Sequence, residues 1–371
     1  MPALLPNVDP EGLLEYSVVY TDRALNHMSQ SFQSVMKDIS STLKGVYNAQ
    51  AAIVVPGSGT FGMESVARQF ASEQKCLVIR NGWFSFRWTQ IFEMGNIPSE
   101  HSVLKARQLA DETQSPFQPA PIEEVIAKIN TEKPAMVFAP HVETSSGMIL
   151  PDDYLRAVSE AVHAVGGLFV LDCIASGTLW VDMQQCGVDI LISAPQKGWS
   201  GPPCAGLVML SKAALYKLDQ TESSSFAMDL KKWLQIMQAY ENGAHAYHAT
   251  MPTEALRQFR NVMFEARDIG FEKLKQQQQE LGDKVRQLLK DKGFNSVAAE
   301  GFGAPGVVVS YTDDADIQNG KKFAAQGMQI AAGVPLQCDE REDYQTFRLG
   351  LFGLDKLQDV DAAVARLEDV L

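Results

Sequence analysis

The fold is decided by two stretches of sequence, residues 168–172 (LFVLD) and residues 189–197 (DILISAPQK). Each is a short apolar run that ends in polar, turn-prone residues, a pattern typical of a buried parallel strand that opens onto a site. Ligands of open α/β sheets bind outside the carboxyl ends of such strands. The two runs therefore predict that the Asp172 carboxylate and the Lys197 amine lie at neighbouring strand ends of one sheet.

The composition is that of an ordinary globular protein. The chain has 371 residues, of which 46% are hydrophobic and 21% charged, enough for one large domain and a smaller one with a sizeable core. The formal net charge of -13, from 32 basic and 45 acidic residues, argues against a nucleic-acid-binding face. The five cysteines form no Cys-x-x-Cys pair and are odd in number, which indicates reduced thiols and predicts neither disulfides nor a metal site.

The sequence shows no targeting or membrane signal. Residues 1–9 (MPALLPNVD) are acidic and too poor in apolar residues for a signal peptide. No apolar stretch approaches the roughly 20 residues that a membrane-spanning helix needs. These patterns predict a cytoplasmic protein that binds no membrane.

Apolar runs alternate with helical segments as far as about residue 211. This alternation predicts an α/β fold with a large, mostly parallel sheet covered by helices. After residue 260 a long polar helix and three strand-like runs predict a smaller α+β domain. We therefore expect a large domain over residues 1–260 and a small C-terminal domain over residues 261–371. The strand-like runs of the small domain are residues 307–311, 327–330 and 347–351.

The glycine-rich turn at residues 57–62 (GSGTFG) has more than one interpretation. It matches the G-x-G-x-x-G fingerprint of dinucleotide binding. However, about fifty mostly helical residues precede its strand, and the next strand ends in Arg80-Asn81-Gly82 without the acidic residue that would hold a ribose. Two hydroxyls and free N–H groups at a helix N-terminus suit a single phosphate monoester equally well. Taken alone, the turn is also compatible with a plain helix N-cap.

Three other stretches contain candidate site residues. Residues 81–88 (NGWFSFRW) carry four aromatic side chains, most of which we expect in the core, although a flat cofactor ring would need one of them to stack on. Residues 141–147 (HVETSSG) are dense in hydroxyls. Arg348 lies within an apolar, strand-like run and is either part of a structural ion pair or a bidentate fork for a substrate carboxylate.

Lys197 is the most informative single residue. It precedes the Gly- and Pro-rich residues 198–203, a context that a solvated surface lysine does not explain. Rigid backbone and aromatic cover would lower its pKa by desolvation, as a Schiff-base lysine requires. A carboxylate that faces a ring nitrogen and an amine that faces an aldehyde are what pyridoxal 5'-phosphate needs, so Asp172 and Lys197 together predict this cofactor.

These stretches, in this order between about residues 51 and 353, resemble the class V aminotransferases of the fold-type-I pyridoxal-phosphate enzymes, particularly the alanine–glyoxylate aminotransferase group. The resemblance implies a homodimer that moves an amino group from a small amino acid to a 2-oxo acid such as glyoxylate or pyruvate. It implies that Lys197 holds the cofactor and carries the proton, that Asp172 pairs with the ring nitrogen, and that Arg348 binds the substrate carboxylate. The implied cofactor contacts are Ser58, Gly59, Thr60, Phe84, Thr144 and Gln196, with Tyr247 and Thr250 reaching across the dimer.

Two departures from the family pattern concern the substrate more than the cofactor. Residues 18–23 (VVYTDR) stand where the family has a Pro-Gly-Pro segment, so we expect residues 1–25 to pack near the active site. Cys204 stands where the group commonly keeps glycine. One alternative is a lyase or desulfurase that uses the same cofactor, with Cys204 as persulfide acceptor. The other is a nucleotide-binding oxidoreductase that uses residues 57–62.

Overall fold

The structure is a computed structural model that describes residues 8–10 and 12–371. Its helices are α1 (Gln30–Tyr47), α2 (Gly59–Val66), α3 (Trp83–Gly95), α4 (Ile122–Glu132), α5 (Asp152–Ala164), α6 (Met183–Cys186), α7 (Lys212–Asp219), α8 (Leu230–Glu241), α9 (Thr253–Ile269), α10 (Phe271–Asp291), α11 (Ala315–Gln318), α12 (Lys321–Ala325), α13 (Leu354–Leu357) and α14 (Val360–Glu368). A π-helical turn, Ala67–Ala71, follows α2.

The strands are β1 (Ala51–Pro56), β2 (Lys75–Arg80), β3 (Glu100–Lys105), β4 (Arg107–Gln108), β5 (Phe117–Gln118), β6 (Met136–Pro140), β7 (Val142–Glu143), β8 (Met148–Ile149), β9 (Leu168–Asp172), β10 (Ile190–Ser193), β11 (Ala205–Leu210), β12 (Val307–Tyr311), β13 (Ala331–Ala332) and β14 (Thr346–Gly350). None of the helices in the described ranges is long and apolar enough to cross a membrane.

A seven-stranded sheet of order β1-β11-β10-β9-β6-β2-β3 forms the main layer. β11 runs antiparallel to both of its neighbours, and the remaining strands share one direction. The central strands are apolar and buried along their length because helices such as α2, α3, α5 and α8 pack against the sheet. The predicted mostly parallel sheet covered by helices is confirmed, with β11 as its reversed strand.

The register of the central strands brings three strand ends together. Asp172, the last residue of β9, pairs with Ile192 of β10 on one side and with Pro140 of β6 on the other. The segments that leave these three strands therefore start at the same edge of the sheet. These segments begin at His141, Cys173 and Ala194.

A second sheet, of order β12-β14-β13, lies in the C-terminal part of the chain and is antiparallel. It shares a core with α10 that includes Leu281, Val285 and Phe347. The strand predicted at residues 327–330 is wrong, because Gly327 adopts a positive φ of 79° and the Met328 N–H bonds back to the Phe323 carbonyl, so these residues terminate α12. The boundary predicted between residues 260 and 261 falls inside α9, and the division into domains stays a prediction.

Candidate active site

The Asp172 carboxylate and the segment that contains Lys197 lie at neighbouring strand ends. Asp172 is buried, and its Oδ1 accepts a hydrogen bond of 2.9 Å from the Ile174 N–H. Burial raises the pKa of Asp172 to about 7, the hydrogen bond from Ile174 opposes that rise, and the charges of Arg87 and Lys197 also lower the pKa. A cationic partner placed beside this carboxylate would favour its charged form.

Lys197 is a half-buried amine in the turn that follows β10. Burial lowers the pKa of Lys197 below its ordinary value, and the positive charges of Arg348 and Arg87 lower it further, while Asp172 acts in the opposite sense. Its Nζ lies 5.3 Å from the centroid of the Phe352 ring. An amine whose neutral form is favoured in this way is a better nucleophile towards an aldehyde.

The turn between β1 and α2 has the donors and the space that a phosphate needs. Ser58 occupies the N-cap of α2, yet its side chain makes no capping hydrogen bond. A Cβ on Gly59 would lie 2.6 Å from Ile174 Cδ1. The backbone can therefore pass this close to Ile174 only because residue 59 is a glycine. The Gln196 carboxamide has a buried Oε1 without a hydrogen-bond partner. The free Ser58 hydroxyl and the close backbone at Gly59 fit the phosphate monoester of pyridoxal phosphate, whereas Gln196 would have to face a phosphate with its amide nitrogen, the donor of the carboxamide.

Phe84 lies in the first turn of α3, half-buried, with two guanidinium groups against its ring. Cζ of Arg87 lies 5.3 Å and Cζ of Arg348 lies 5.6 Å from the ring centroid. Arg348 therefore extends from the C-terminal sheet to the space above Phe84, which joins the two sheets at one site.

Arg348 keeps most of its hydrogen-bonding capacity. Its Nε donates to the Ala332 carbonyl over 2.8 Å, and none of the ion pairs within the described ranges includes it. Burial lowers the pKa of Arg348, and the negative charge of Glu143 opposes this effect. The structural ion pair that the sequence left open is not formed, and the free edge of the guanidinium could bind a carboxylate.

A buried carboxylate, Glu143, organises the start of α3, although no role was predicted for it. Its Oε1 accepts from the Phe84 N–H over 3.2 Å and its Oε2 from the Ser85 N–H over 2.9 Å, and both oxygens also bind serine side chains, of Ser85 and Ser145. Since α3 has no acidic residue in its first turn, Glu143 supplies the negative charge that a helix N-terminus favours. Thr144, the predicted hydroxyl near the ring, is buried beside it.

The sequence signal for Glu143 was an acidic residue in a serine-rich loop after a predicted buried strand. An acid that is buried there requires hydrogen-bond donors around its carboxylate. The partners themselves could not be identified, since they lie 58 and 59 residues away along the chain. Gly82 belongs to the same junction, and a Cβ at this position would overlap Ser145 Oγ.

The structure does not bring Tyr247 and Thr250 into this group. Both are exposed on the segment between α8 and α9, where the Tyr247 hydroxyl lies 3.1 Å from Thr250 Oγ1 and the Tyr247 ring lies 5.4 Å from the ring of His27. In the described part of the chain, no hydrogen bond joins either residue to Asp172 or Lys197. Their expected contact with the phosphate of a neighbouring subunit stays a prediction.

The two departures from the family pattern have different surroundings. Cys204 is buried ahead of β11, its carbonyl accepts from the Gly57 N–H over 2.9 Å, and burial raises the pKa of its thiol to about 12. In the 18–23 segment, Val18 is fully exposed and the Tyr20 hydroxyl donates to the Met251 carbonyl over 3.0 Å. Packing of residues 1–25 near the active site stays a prediction, and residues 1–7 and 11 lie outside the described residues.

Comparison with known proteins places this geometry in a family. The family model described as Aminotransferase class-V matches residues 11–338. A curated relative, alanine–glyoxylate aminotransferase 1 of Saccharomyces cerevisiae, is 25% identical over 70% of this chain and 69% of its own length. Another, named the small subunit of a soluble hydrogenase from Synechococcus, is 24% identical over 94% of this chain and 87% of its own.

A solved structure shows the same fold. The alanine–glyoxylate aminotransferase of Nostoc superposes with a TM-score of 0.77 at 21% identity, covering 93% of this chain and 89% of that one. The predicted fold type I is thereby confirmed, and the family match favours the phosphate-monoester interpretation of residues 57–62 over the dinucleotide one. With a family model that spans most of its length and a structural neighbour of the same kind, the chain belongs to the class V aminotransferases, a family of pyridoxal-phosphate enzymes.

Proposed function

We propose that this aminotransferase binds pyridoxal 5'-phosphate between Asp172 and Lys197 and moves an amino group from a small amino acid to a 2-oxo acid such as glyoxylate or pyruvate. The observation that carries the proposal is a buried carboxylate and a desolvated amine at neighbouring strand ends. When bound, pyridoxal phosphate supplies an aldehyde that condenses with amines and a ring that withdraws electrons from the α-carbon of the substrate.

The residues around this pair each have a part in holding the cofactor. The Asp172 carboxylate would pair with the ring nitrogen and favour its protonated form, while Phe84 and Thr144 would contact the ring. The phosphate is held at the N-terminus of α2, where N–H groups and the helix dipole favour an anion. The groups that bind it are Ser58, Gly59, Thr60 and Gln196.

Lys197 and Arg348 act on the substrate. Arg348 fixes the α-carboxylate through its free guanidinium edge, which orients the α-carbon towards Lys197. Burial lowers the pKa of Lys197 and so favours the neutral amine, whose Nζ would accept the proton from the α-carbon of the substrate. A positioned acid–base group of this kind contributes on the order of 10²–10⁴ in rate. The Phe352 ring beside Nζ helps to exclude water from the amine.

The surroundings of Cys204 favour transamination over desulfuration. A persulfide acceptor must form a thiolate, which is the nucleophilic form of cysteine. Burial raises the pKa of Cys204 to about 12, so its thiol stays protonated and enclosed. The structure thus supplies no accessible thiolate at this position.

A homodimer in the cytoplasm completes the proposal. Tyr247 and Thr250 are exposed and hydrogen-bonded to each other, so both side chains are accessible to a second subunit, whose phosphate they would bind. The five cysteines, all free and buried, suit a reducing compartment.

Borohydride trapping tests the proposal. Protein mixed with pyridoxal phosphate should absorb visible light, lose that absorption with borohydride, and carry the reduced cofactor on the Lys197 peptide in mass spectra. Lys197→Ala should be colourless and unlabelled, whereas the control Lys212→Ala, at an exposed lysine at the start of α7, should behave as wild type. Colourless wild type, or label on another lysine, contradicts the proposal.

Amino acids added without an acceptor distinguish transamination from a lyase. We expect conversion of the bound cofactor to its pyridoxamine form, reversed by a 2-oxo acid. Steady release of ammonia or sulfide without an acceptor would instead establish the lyase.

A further inference from the structure

A second arginine, Arg87, borders the site and has no part in the chemistry described above. It lies one turn after Phe84 on α3, half-buried, with its guanidinium near the Phe84 ring. Its Nη1 donates to Thr60 Oγ1 over 2.9 Å, which connects α3 to the first turn of α2. None of the ion pairs found between residues 12 and 371 includes Arg87, so no carboxylate of these residues lies in direct contact with its guanidinium.

The charge of Arg87 acts on both reactive groups. It lowers the pKa of Asp172 and it lowers the pKa of Lys197. The guanidinium therefore lies within electrostatic range of both side chains, in agreement with its contacts with Thr60 and with the Phe84 ring.

The hydrogen bond to Thr60 indicates which end of the cofactor Arg87 meets. Thr60 belongs to the turn whose Ser58 hydroxyl and close glycine backbone fit a phosphate. A phosphate monoester carries about -1.5 to -2 charges near pH 7, more than the partial positive charge of about half a unit at a helix N-terminus can balance. In the described chain, Arg87 is the cation that a hydrogen bond attaches to this turn. Arg348, on β14, is held instead by the Ala332 carbonyl.

We propose that Arg87 is the countercharge of the cofactor phosphate, with one guanidinium nitrogen kept on Thr60 and the remaining N–H groups directed at phosphate oxygens. The inference rests on the proposed function, because it assumes that pyridoxal phosphate occupies the site. It differs from that proposal in assigning the phosphate a charged partner from within the same chain. Arg87 also packs against Phe84, so the same side chain binds the phosphate and supports the aromatic ring.

Comparing pyridoxal phosphate with pyridoxal, which lacks the phosphate, isolates this interaction. Dissociation constants of both compounds are measured by absorbance titration of wild type, Arg87→Ala, Arg87→Lys and the control Arg267→Ala, at an exposed arginine on α9. We expect Arg87→Ala to weaken pyridoxal phosphate binding about 10- to 100-fold, as for a lost charge-assisted hydrogen bond, and pyridoxal binding by a much smaller factor, because only the support of Phe84 and the effect on the two reactive groups are then lost. Arg87→Lys should recover part of the loss, and Arg267→Ala should match wild type.

Three outcomes would overturn the inference. Equal losses for both compounds would make Arg87 a support for Phe84 alone. Unchanged binding of pyridoxal phosphate with weaker binding of a dicarboxylic amino acid would make it a substrate residue. Equal losses together with a shifted urea midpoint would make its role structural. Failure of the proposed function is distinguishable, because wild type would then bind neither compound through Lys197.

Discussion

At the scale of single residues, the protonation of Asp172 makes the free energy of unfolding depend on pH. Burial raises the pKa of Asp172 from 3.8 to about 7. Between these pH values the folded cofactor-free chain holds a proton that the unfolded chain has released, so stability falls as the pH rises from about 4 to 7. Three pH units at about 1.4 kcal/mol each give a loss on the order of 4 kcal/mol.

Asp172→Asn should remove this pH dependence. Asparagine can keep the acceptor for the Ile174 N–H but carries no charge, so the cofactor-free variant should exceed wild type in unfolding free energy by up to about 4 kcal/mol at pH 8 and match it near pH 4. Urea unfolding at both pH values measures the difference. The control Asp355→Asn, at an exposed carboxylate, should keep the wild-type profile. Identical pH profiles for Asp172→Asn and wild type would show that Asp172 is not protonated in the empty site.

At the scale of elements, the start of α3 depends on a carboxylate from a different loop. Glu143 is fully buried and binds the Phe84 and Ser85 N–H groups. Glu143→Ala leaves these donors unsatisfied and should lower the unfolding free energy by about 3 kcal/mol, while Glu143→Gln, which retains one acceptor oxygen, should lose less. Glu280→Ala, at an exposed pair on α10, should stay within about 0.5 kcal/mol of wild type. Wild-type stability of Glu143→Ala would show that the cap does not stabilise α3.

The packing of α2 on β11 requires a glycine on the strand. A Cβ on Gly206 would lie 2.7 Å from the Gly62 nitrogen and 2.8 Å from the Ser58 carbonyl oxygen, so it would push residues 58–62 away from the sheet. We expect Gly206→Ala to lose about 1–3 kcal/mol of stability and to bind pyridoxal phosphate more weakly. Gly45→Ala, on α1 where nothing lies within 4 Å, should instead stabilise by about 0.5–1 kcal/mol. Unchanged cofactor affinity in Gly206→Ala would mean that the turn tolerates the shift.

These elements show which features were predictable from the sequence. Strands β9 and β10 were predictable because a fully buried strand is apolar along its length. The polar turn that contains Lys197 was predictable for the same reason, since it interrupts the apolar run. The strand at residues 327–330 was mispredicted because its apolar residues follow a glycine that ends α12. The contacts of Glu143 and Arg87 were not predictable, since each connects segments that only the fold brings together.

At the scale of the whole molecule, the site draws on both sheets. Asp172 comes from the large sheet and Arg348 from the C-terminal one, with the Phe84 ring near the arginine. Isolated bridges Phe117–Ala298 and Met148–Gly303 connect the two parts of the chain. A movement of the C-terminal sheet would therefore change the distance between Arg348 and Lys197.

Exposed aromatic and apolar side chains near the N-terminal segment indicate a surface where a second subunit could pack. Tyr247 is exposed and lies against the N-terminal residue His27. Large apolar side chains on an exposed N-terminal stretch are a pattern expected where a second subunit packs. These side chains are Leu13, Leu14, Tyr16 and Val18.

Mixing two defective chains tests the shared site directly. If Tyr247 serves the partner's phosphate, a dimer of one Lys197→Ala and one Tyr247→Ala chain contains one site with both defects and one intact site. Unfolding and refolding the two variants together should therefore restore about a quarter of wild-type activity, since about half the dimers are hybrids and each has one working site. Mixing Lys197→Ala with Asp172→Asn is the control, because both defects belong to the chain that holds the cofactor and no hybrid site is intact. Hybrid dimers that form in native mass spectra yet stay inactive with the Tyr247 variant would place Tyr247 outside the shared site.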